Sequence, residues 1–221
     1  MNRTVLVLGA GPRLGGAIAR RFGRDGYDVA LLARTAGPVE QLATALRSEG
    51  INAAWATADV ADEQELGAQI ARLAERGPIT VAVHNVSVWR DATALAMSPA
   101  DLLADVAAGA GSLLTLARAV APAMIASGGG TILATGSAAA DAPSPGAPSL
   151  GVQKAALRAL VQAMARDLAP QGVHCATVTI NGVLGSSEVF DPARIADVYA
   201  ELVAETAGAR GTWRAVVPYP A

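Results

Sequence analysis

TVLVLGAGPRLGGAIA, Thr4 to Ala19, sets a strand pattern, a glycine-rich turn and a helix pattern end to end. The apolar run Val5, Leu6, Val7, Leu8 meets Gly9, Gly11, Gly15 and Gly16, and an amphipathic pattern follows through Ala17, Ile18 and Phe22. That order makes a phosphate-binding device. A helix N-terminus presents N–H groups that no helical carbonyl satisfies, with a partial positive charge. Glycines let the backbone turn sharply and approach a pyrophosphate closely. The stretch therefore predicts dinucleotide binding. The same residues also suit a glycine-rich βα turn that binds nothing.

The remaining chain fits that start. Its 221 residues are enough for one domain, 1–221, with a sizeable core. Hydrophobic residues make up 52% and charged residues 16%, the balance of a globular chain. A net charge of −2 without a basic run argues against a nucleic-acid surface. The single cysteine, Cys175, lies in the apolar run Val173 to Ile180 and reads as a buried strand residue. No signal peptide pattern and no unbroken apolar run of membrane-spanning length is evident, so a soluble cytoplasmic protein without a membrane partner is expected. No cluster reads as a metal site.

Strand and helix patterns alternate from end to end. Strands are expected at 28–33, 53–57, 79–83, 131–135, 173–180 and 212–217, besides the first. Helices are expected at 38–49, from Asp62 to about Arg76, from Ser98-Pro99 to about Ala126, from Ser149 to Leu168, and from Asp191-Pro192 to about Glu205. Asp62 and Glu65 have capping-box spacing, and Ser98-Pro99 pairs a capping hydroxyl with proline at the first helical position. Residues 136–148 read as a loop. Such alternation predicts an α/β fold: a doubly wound parallel sheet of about seven strands with helices on both faces. Ligands in such sheets bind beyond the strand C-termini, so the residues just after each strand matter most.

Those residues carry a resemblance. Gly9, Gly11 and Gly15 follow strand one, Asp59-Val60 follow strand three, Asn85 lies within HNVS after strand four, Ser137 follows strand five, and Lys154 comes early in the next helix. In this order and spacing the chain resembles the short-chain dehydrogenase/reductase family over essentially its whole length. The resemblance implies a Rossmann-like fold, an NAD or NADP cofactor and an oligomer, a homodimer or homotetramer built through helices 99–126 and 149–168. Gly9, Gly11, Arg13, Leu14, Gly15, Arg34, Asp59, Val60, Asn85, Lys154 and Ser187 are the implied cofactor contacts. Ser137 and Lys154 are the implied catalytic residues. Arg34, just after the second strand, favours the 2′-phosphate of NADP over NAD through a charge-assisted contact, and Arg13 would add a second charge.

The departures from the family pattern are as informative. Arg13 stands where the middle glycine of the turn is expected, and Gly109 where a central-helix asparagine is often found. The family's Tyr-x-x-x-Lys pair appears as Leu150 and Lys154, with Ser137 at the usual spacing before the tyrosine position. Leucine has no proton to give. His84, Ser149, Ser137, Tyr199, a water held by Lys154 and the substrate itself are the candidate substitutes. Two readings follow. One is an atypical NADP(H)-dependent oxidoreductase acting on a carbonyl or alcohol of a small or mid-sized hydrophobic substrate. The other is a cofactor-binding protein without redox turnover, such as a partner subunit or a cyclase or dehydratase.

Overall fold

The computed structural model describes residues 3–209 and 212–220. Seven parallel strands form one sheet in the order β3-β2-β1-β4-β5-β6-β7. They are β1 (Thr4–Leu8), β2 (Asp28–Ala33), β3 (Ala53–Thr57), β4 (Ile79–His84), β5 (Gly130–Ser137), β6 (Val173–Ile180) and β7 (Val216–Tyr219). Helices α1 (Leu14–Arg24), α2 (Ala36–Ser48) and α7 (Pro192–Ala204) cover one face. Helices α3 (Glu63–Ala74), α5 (Ser112–Ala126) and α6 (Pro148–Leu168) cover the other. Every residue of β1 is buried, and alternation sends Val5 and Val7 into one core and Leu6 and Leu8 into the other. Parallel strands covered on both faces read as continuous apolar runs for this reason.

Local chemistry fixes the helix starts. Asp62 caps α3 by accepting from the N–H groups of Gln64 and Glu65, both at 2.9 Å. The reciprocal half of the expected box is displaced, because the Glu65 carboxylate accepts from the N–H of Asp59. Ser98 and Asp101 form a full capping box at the start of α4 (Pro99–Val106). A π-helical turn, Ala107–Gly111, joins α4 to α5. By length and composition Pro99–Ala126 is apolar enough to cross a membrane. Here it packs beside α3 and α6 and along β4 and β5.

Two strands depart from expectation. β5 runs two residues further than its apolar core suggests, because Gly136 and Ser137 pair with Thr179 and Ile180 of β6. The last strand begins at Val216 rather than Thr212. Trp213 lies instead against the His174 ring, with centroids 5.2 Å apart. Pro218 is tolerated in β7 because that strand is an edge, with β6 as its only neighbour. The chain leaves β3 for β4 across β2 and β1, so the strand order reverses between β1 and β4. A crevice opens at their C-terminal ends.

Candidate active site

The crevice is a cleft of about 360 Å³ at that reversal. Its floor is the glycine turn. Gly9 has φ +81°, and a Cβ there would sit 2.4 Å from the carbonyl oxygen of Asn85. A side chain is thus excluded twice, by backbone conformation and by contact. A Cβ on Gly11, by contrast, meets nothing within 4 Å. No side chain caps α1, and its first turn holds no acidic residue. Leu14 and Gly15, at the start of that helix, line the cleft. The Gly16 N–H is taken by the Gly11 carbonyl at 2.7 Å, and those of Leu14 and Gly15 remain to face an anion, which fits a pyrophosphate.

A chain of hydrogen bonds holds this floor. The Asn85 amide donates to the Gly9 carbonyl at 3.0 Å and accepts from the Thr135 hydroxyl at 2.8 Å. The Thr135 hydroxyl has only one proton, so the Tyr199 hydroxyl, 2.7 Å away, must be the donor to Thr135. The same Thr135 accepts through its carbonyl from Lys154 Nζ at 2.8 Å, and the Val86 carbonyl accepts from Nζ at 3.0 Å. Lys154 is only 4% exposed, and burial lowers its pKa from 10.5 to about 8. Among the described residues no carboxylate forms an ion pair with it, and none lines the cleft.

The other expected contacts fall as follows. Asn85 lines the cleft, and its amide also holds the turn to β5. Arg13 does not turn toward Arg34: its guanidinium donates to the Leu184 carbonyl across the cleft. Ser187 is exposed and does not line the cleft, because it sits in the turn where the N–H of Phe190 donates to its carbonyl. Asp59 is a turn residue whose carboxylate accepts from the N–H of Ala61 at 2.9 Å. Val60 packs against the core beneath it. Arg34 is exposed beyond β2, without an ion pair or hydrogen bond among the described residues. Ser137, Leu150, Lys154, Gly11, Gly15 and Arg13 all meet at the cleft.

The candidate proton donors sort by burial. His84 is fully buried, and its Nε2 lies 2.7 Å from the Ser112 hydroxyl. That hydroxyl donates to the Ala108 carbonyl, so His84 Nε2 carries the ring proton. Burial first and the Lys154 charge second push the His84 pKa down to about 3, so it does not titrate near neutrality. Tyr199 is fully buried, and desolvation raises its phenol pKa well above 10. Ser149 is fully buried at the start of α6. Ser137 lies at the cleft, where its hydroxyl accepts from the Ala139 N–H at 3.2 Å.

Thr135 and Gln153 had no recognisable mark in the sequence. Gln153 is fully buried, and its amide both accepts from and donates to the backbone of Val88, at 3.0 and 3.1 Å. It fills the space beside Gly109, where a Cβ would come within 2.1 Å of its Oε1. A glutamine one residue before a lysine carries no pattern of its own. A larger cavity, about 490 Å³, lies at the opposite end of the sheet between α6 and the start of β6. His174, Cys175 and Trp213 line it, and no strand C-terminus reaches it. Cys175 is buried as expected, with its thiol pushed up to about 12 by desolvation.

A short chain dehydrogenase profile matches residues 3–190. Dehydrogenase/reductase SDR family member 4 of Homo sapiens is 32% identical over 179 residues, covering 78% of this chain and 63% of that protein. Oxidoreductase UcpA of Escherichia coli (strain K12) is 32% identical over 175 residues, covering 78% of this chain and 66% of its own. The chain thus spans 63% to 66% of the length of these curated relatives. A metagenomic short-chain oxidoreductase solved in complex with NADP superposes with a TM-score of 0.86 at 27% identity, over 98% of this chain and 96% of that one. A short-chain dehydrogenase from Rhodopseudomonas palustris gives 0.86 at 25% identity, over 99% and 98%. With the profile running from its first strand into the loop after β6, the chain belongs to the short-chain dehydrogenase/reductase family.

Proposed function

We propose that the protein is an NADP(H)-dependent oxidoreductase that interconverts a carbonyl and an alcohol on a small or mid-sized hydrophobic substrate. The observation that carries this reading is one cleft holding both an uncapped helix start and a buried, unpaired lysine. Gly11, Leu14 and Gly15 would face the pyrophosphate, and Arg34 the 2′-phosphate. Lys154 and Ser137 would stand at the nicotinamide end. When bound, the cofactor would supply or accept the hydride. The protein's part is to bind it, orient the substrate oxygen near Ser137, and exclude water with Leu150, Ile180 and Leu184. These apolar walls favour a hydrophobic substrate. A related solved structure holds NADP, which supports the choice of cofactor.

Titration with NADPH and NADH by fluorescence or calorimetry tests the reading. NADPH is expected to bind more tightly than NADH. Arg34→Ala is expected to weaken NADPH binding about 10-fold or more, the value of a charge-assisted phosphate contact, and to leave NADH within about twofold. Binding of neither nucleotide sinks the oxidoreductase reading. Leu150 favours a second reading, a cofactor-binding protein without redox turnover. Leu150→Tyr separates the two: a large gain in NADPH-dependent carbonyl reduction supports a hydride-transfer site, and no gain supports a repurposed pocket.

A further inference from the structure

We infer that Lys154 is itself the proton donor of this site, delivering a proton from Nζ directly to the substrate's carbonyl oxygen. The inference rests on the oxidoreductase reading and fills the role that Leu150 leaves vacant. Lys154 is the only lysine among 221 residues; the other 16 of the 17 Lys and Arg residues are arginines. The one lysine is the one buried in the cleft. An ammonium has three N–H donors. Two are held by the carbonyls of Val86 and Thr135, which leaves one for the cleft. The two carbonyls, at the ends of β4 and β5, also fix Nζ in place. Leu150, one helical turn earlier, lines the same cleft without a proton to give.

Ser137 also lines the cleft, but an alcohol is far too weak an acid to release a proton near neutrality, and the remaining side chains are unsuited by position. Tyr199 is fully buried and donates to Thr135, while His84 and Ser149 are also fully buried. The charged and titratable groups around Lys154 are His84 at the end of β4, Tyr199 on α7, Arg13 on the β1–α1 turn and Asp105 on α4. His84 is neutral near pH 7, the Tyr199 phenol stays protonated, Arg13 is bonded to Leu184, and Asp105 is paired with Arg90 at 2.8 Å. None of them holds the Lys154 proton with a negative charge. Burial without a counter-ion also brings the amine to about 8, where it both carries and releases a proton near neutrality. In the step, the carbonyl carbon accepts hydride from a reduced nicotinamide. The C=O π pair moves to oxygen, the Nζ–H bond breaks, and that oxygen takes the proton. Lys154, left as a neutral amine, recovers a proton from water.

A single lysine makes the test direct. Protein labelled with ¹³C and ¹⁵N only in lysine gives one side-chain signal, followed from pH 6 to 10 with and without NADPH. The expected midpoint is near 8, and NADPH is expected to move the signal. Reduction of 4-nitrobenzaldehyde and 2,3-butanedione by NADPH is then followed over the same range. The rate constant at saturating NADPH is expected to fall about 10-fold per pH unit above the lysine midpoint. Lys154→Arg keeps the charge but does not release a proton. It is expected to keep NADPH binding within a few-fold and to lose about 100-fold or more in turnover. No movement of the signal by NADPH overturns the cofactor reading. A moved signal with a pH-independent rate, with a midpoint at 10 or above, or with Lys154→Arg as fast as wild type, overturns the proton-donor assignment alone. A variant that loses binding but not saturated turnover makes Lys154 a cofactor contact only, and overturns it too. NADPH binding without reduction of either carbonyl overturns both. The wild-type profile suffices if the variant fails to fold.

Discussion

An ammonium buried without a carboxylate opposes folding, and Lys154 is such a group. Its folded pKa of about 8 lies below the ordinary 10.5. Between those values the unfolded chain holds a proton that the native protein has released, so stability rises with pH across that window. Below about pH 8 the full penalty applies, up to about 3 kcal/mol for a shift of this size. Lys154→Met is therefore expected to raise the unfolding free energy at pH 7, by about 1 to 3 kcal/mol, while NADPH binding or turnover is lost. Denaturant titration at pH 7 and pH 10 checks this, and the gain must shrink at the higher pH. His84 acts at the other end of the scale. Its pKa is lowered from 6.5 to about 3, so between those values only the unfolded state binds its proton. Stability is expected to fall by about 1.4 kcal/mol per pH unit from near pH 6 downward through this one group. His84→Gln removes that part of the slope, whatever it does to stability at pH 7. An unchanged slope would show that His84 charges freely in the native state.

At the scale of elements, α6 and the π turn Ala107–Gly111 are fitted through one glutamine. The Gln153 amide pairs with the backbone of Val88 and occupies the space that a side chain on Gly109 would need. Gly109→Ala is expected to destabilise by about 1–3 kcal/mol despite alanine's better helix propensity, because the new methyl group overlaps Gln153. Gln153→Ala is expected to destabilise as well, by leaving the half-buried Val88 backbone groups without their partner. The double variant is expected to lose less than the sum, since each change opens the space or vacates the contact that the other disturbs. Thermal or denaturant unfolding of the four proteins gives the coupling directly, and strict additivity would mean that the two sites do not touch. This fit also marks what was legible in the sequence. The ends of β1, β2, β3 and β6 were, because apolar runs stop where the cleft begins, and Ser137, Leu150 and Lys154 followed from the family resemblance along β5 and α6. The bonds of Arg13 and Asn85 were not legible, because the Leu184 and Gly9 carbonyls that engage them at the cleft are distant or unmarked in sequence, and Ser187 lies outside the cleft, in its own turn. β5 was read short for the same kind of reason: Gly136 and Ser137 have little strand propensity and are held by pairing with Thr179 and Ile180.

For the whole molecule, the question is what covers its outer helical face. Only 39% of the most apolar window in Pro99–Ala126 is buried, although the stretch lies along the sheet. Its outward side presents Leu103 at 69% exposure and Leu114 at 45%, with Ala107 and Gly111 between them. On α6, which packs against α4, Val152 is 44% exposed, and Ala159 and Ala163 are exposed further along. Small residues interspersed with a few large apolar ones allow two helix pairs to approach closely. A second copy, meeting the same surface by two-fold symmetry, would bury each exposed leucine against its counterpart helices. The protein is therefore expected to run as a dimer or tetramer in light scattering coupled to size exclusion at micromolar concentration. Leu114→Glu combined with Val152→Glu is expected to give monomers, since like charges would be brought together at the centre of the contact. The fold of each subunit should survive, because both side chains lie outside the two cores. A wild-type protein that remains monomeric at about 100 μM would rule this surface out as a self-contact of the usual size, about 1,600 Å². A dimer unaffected by the double substitution would place the contact elsewhere, and the edge strand β7 is then the next surface to alter, because it alone at that side of the sheet has unpaired backbone groups.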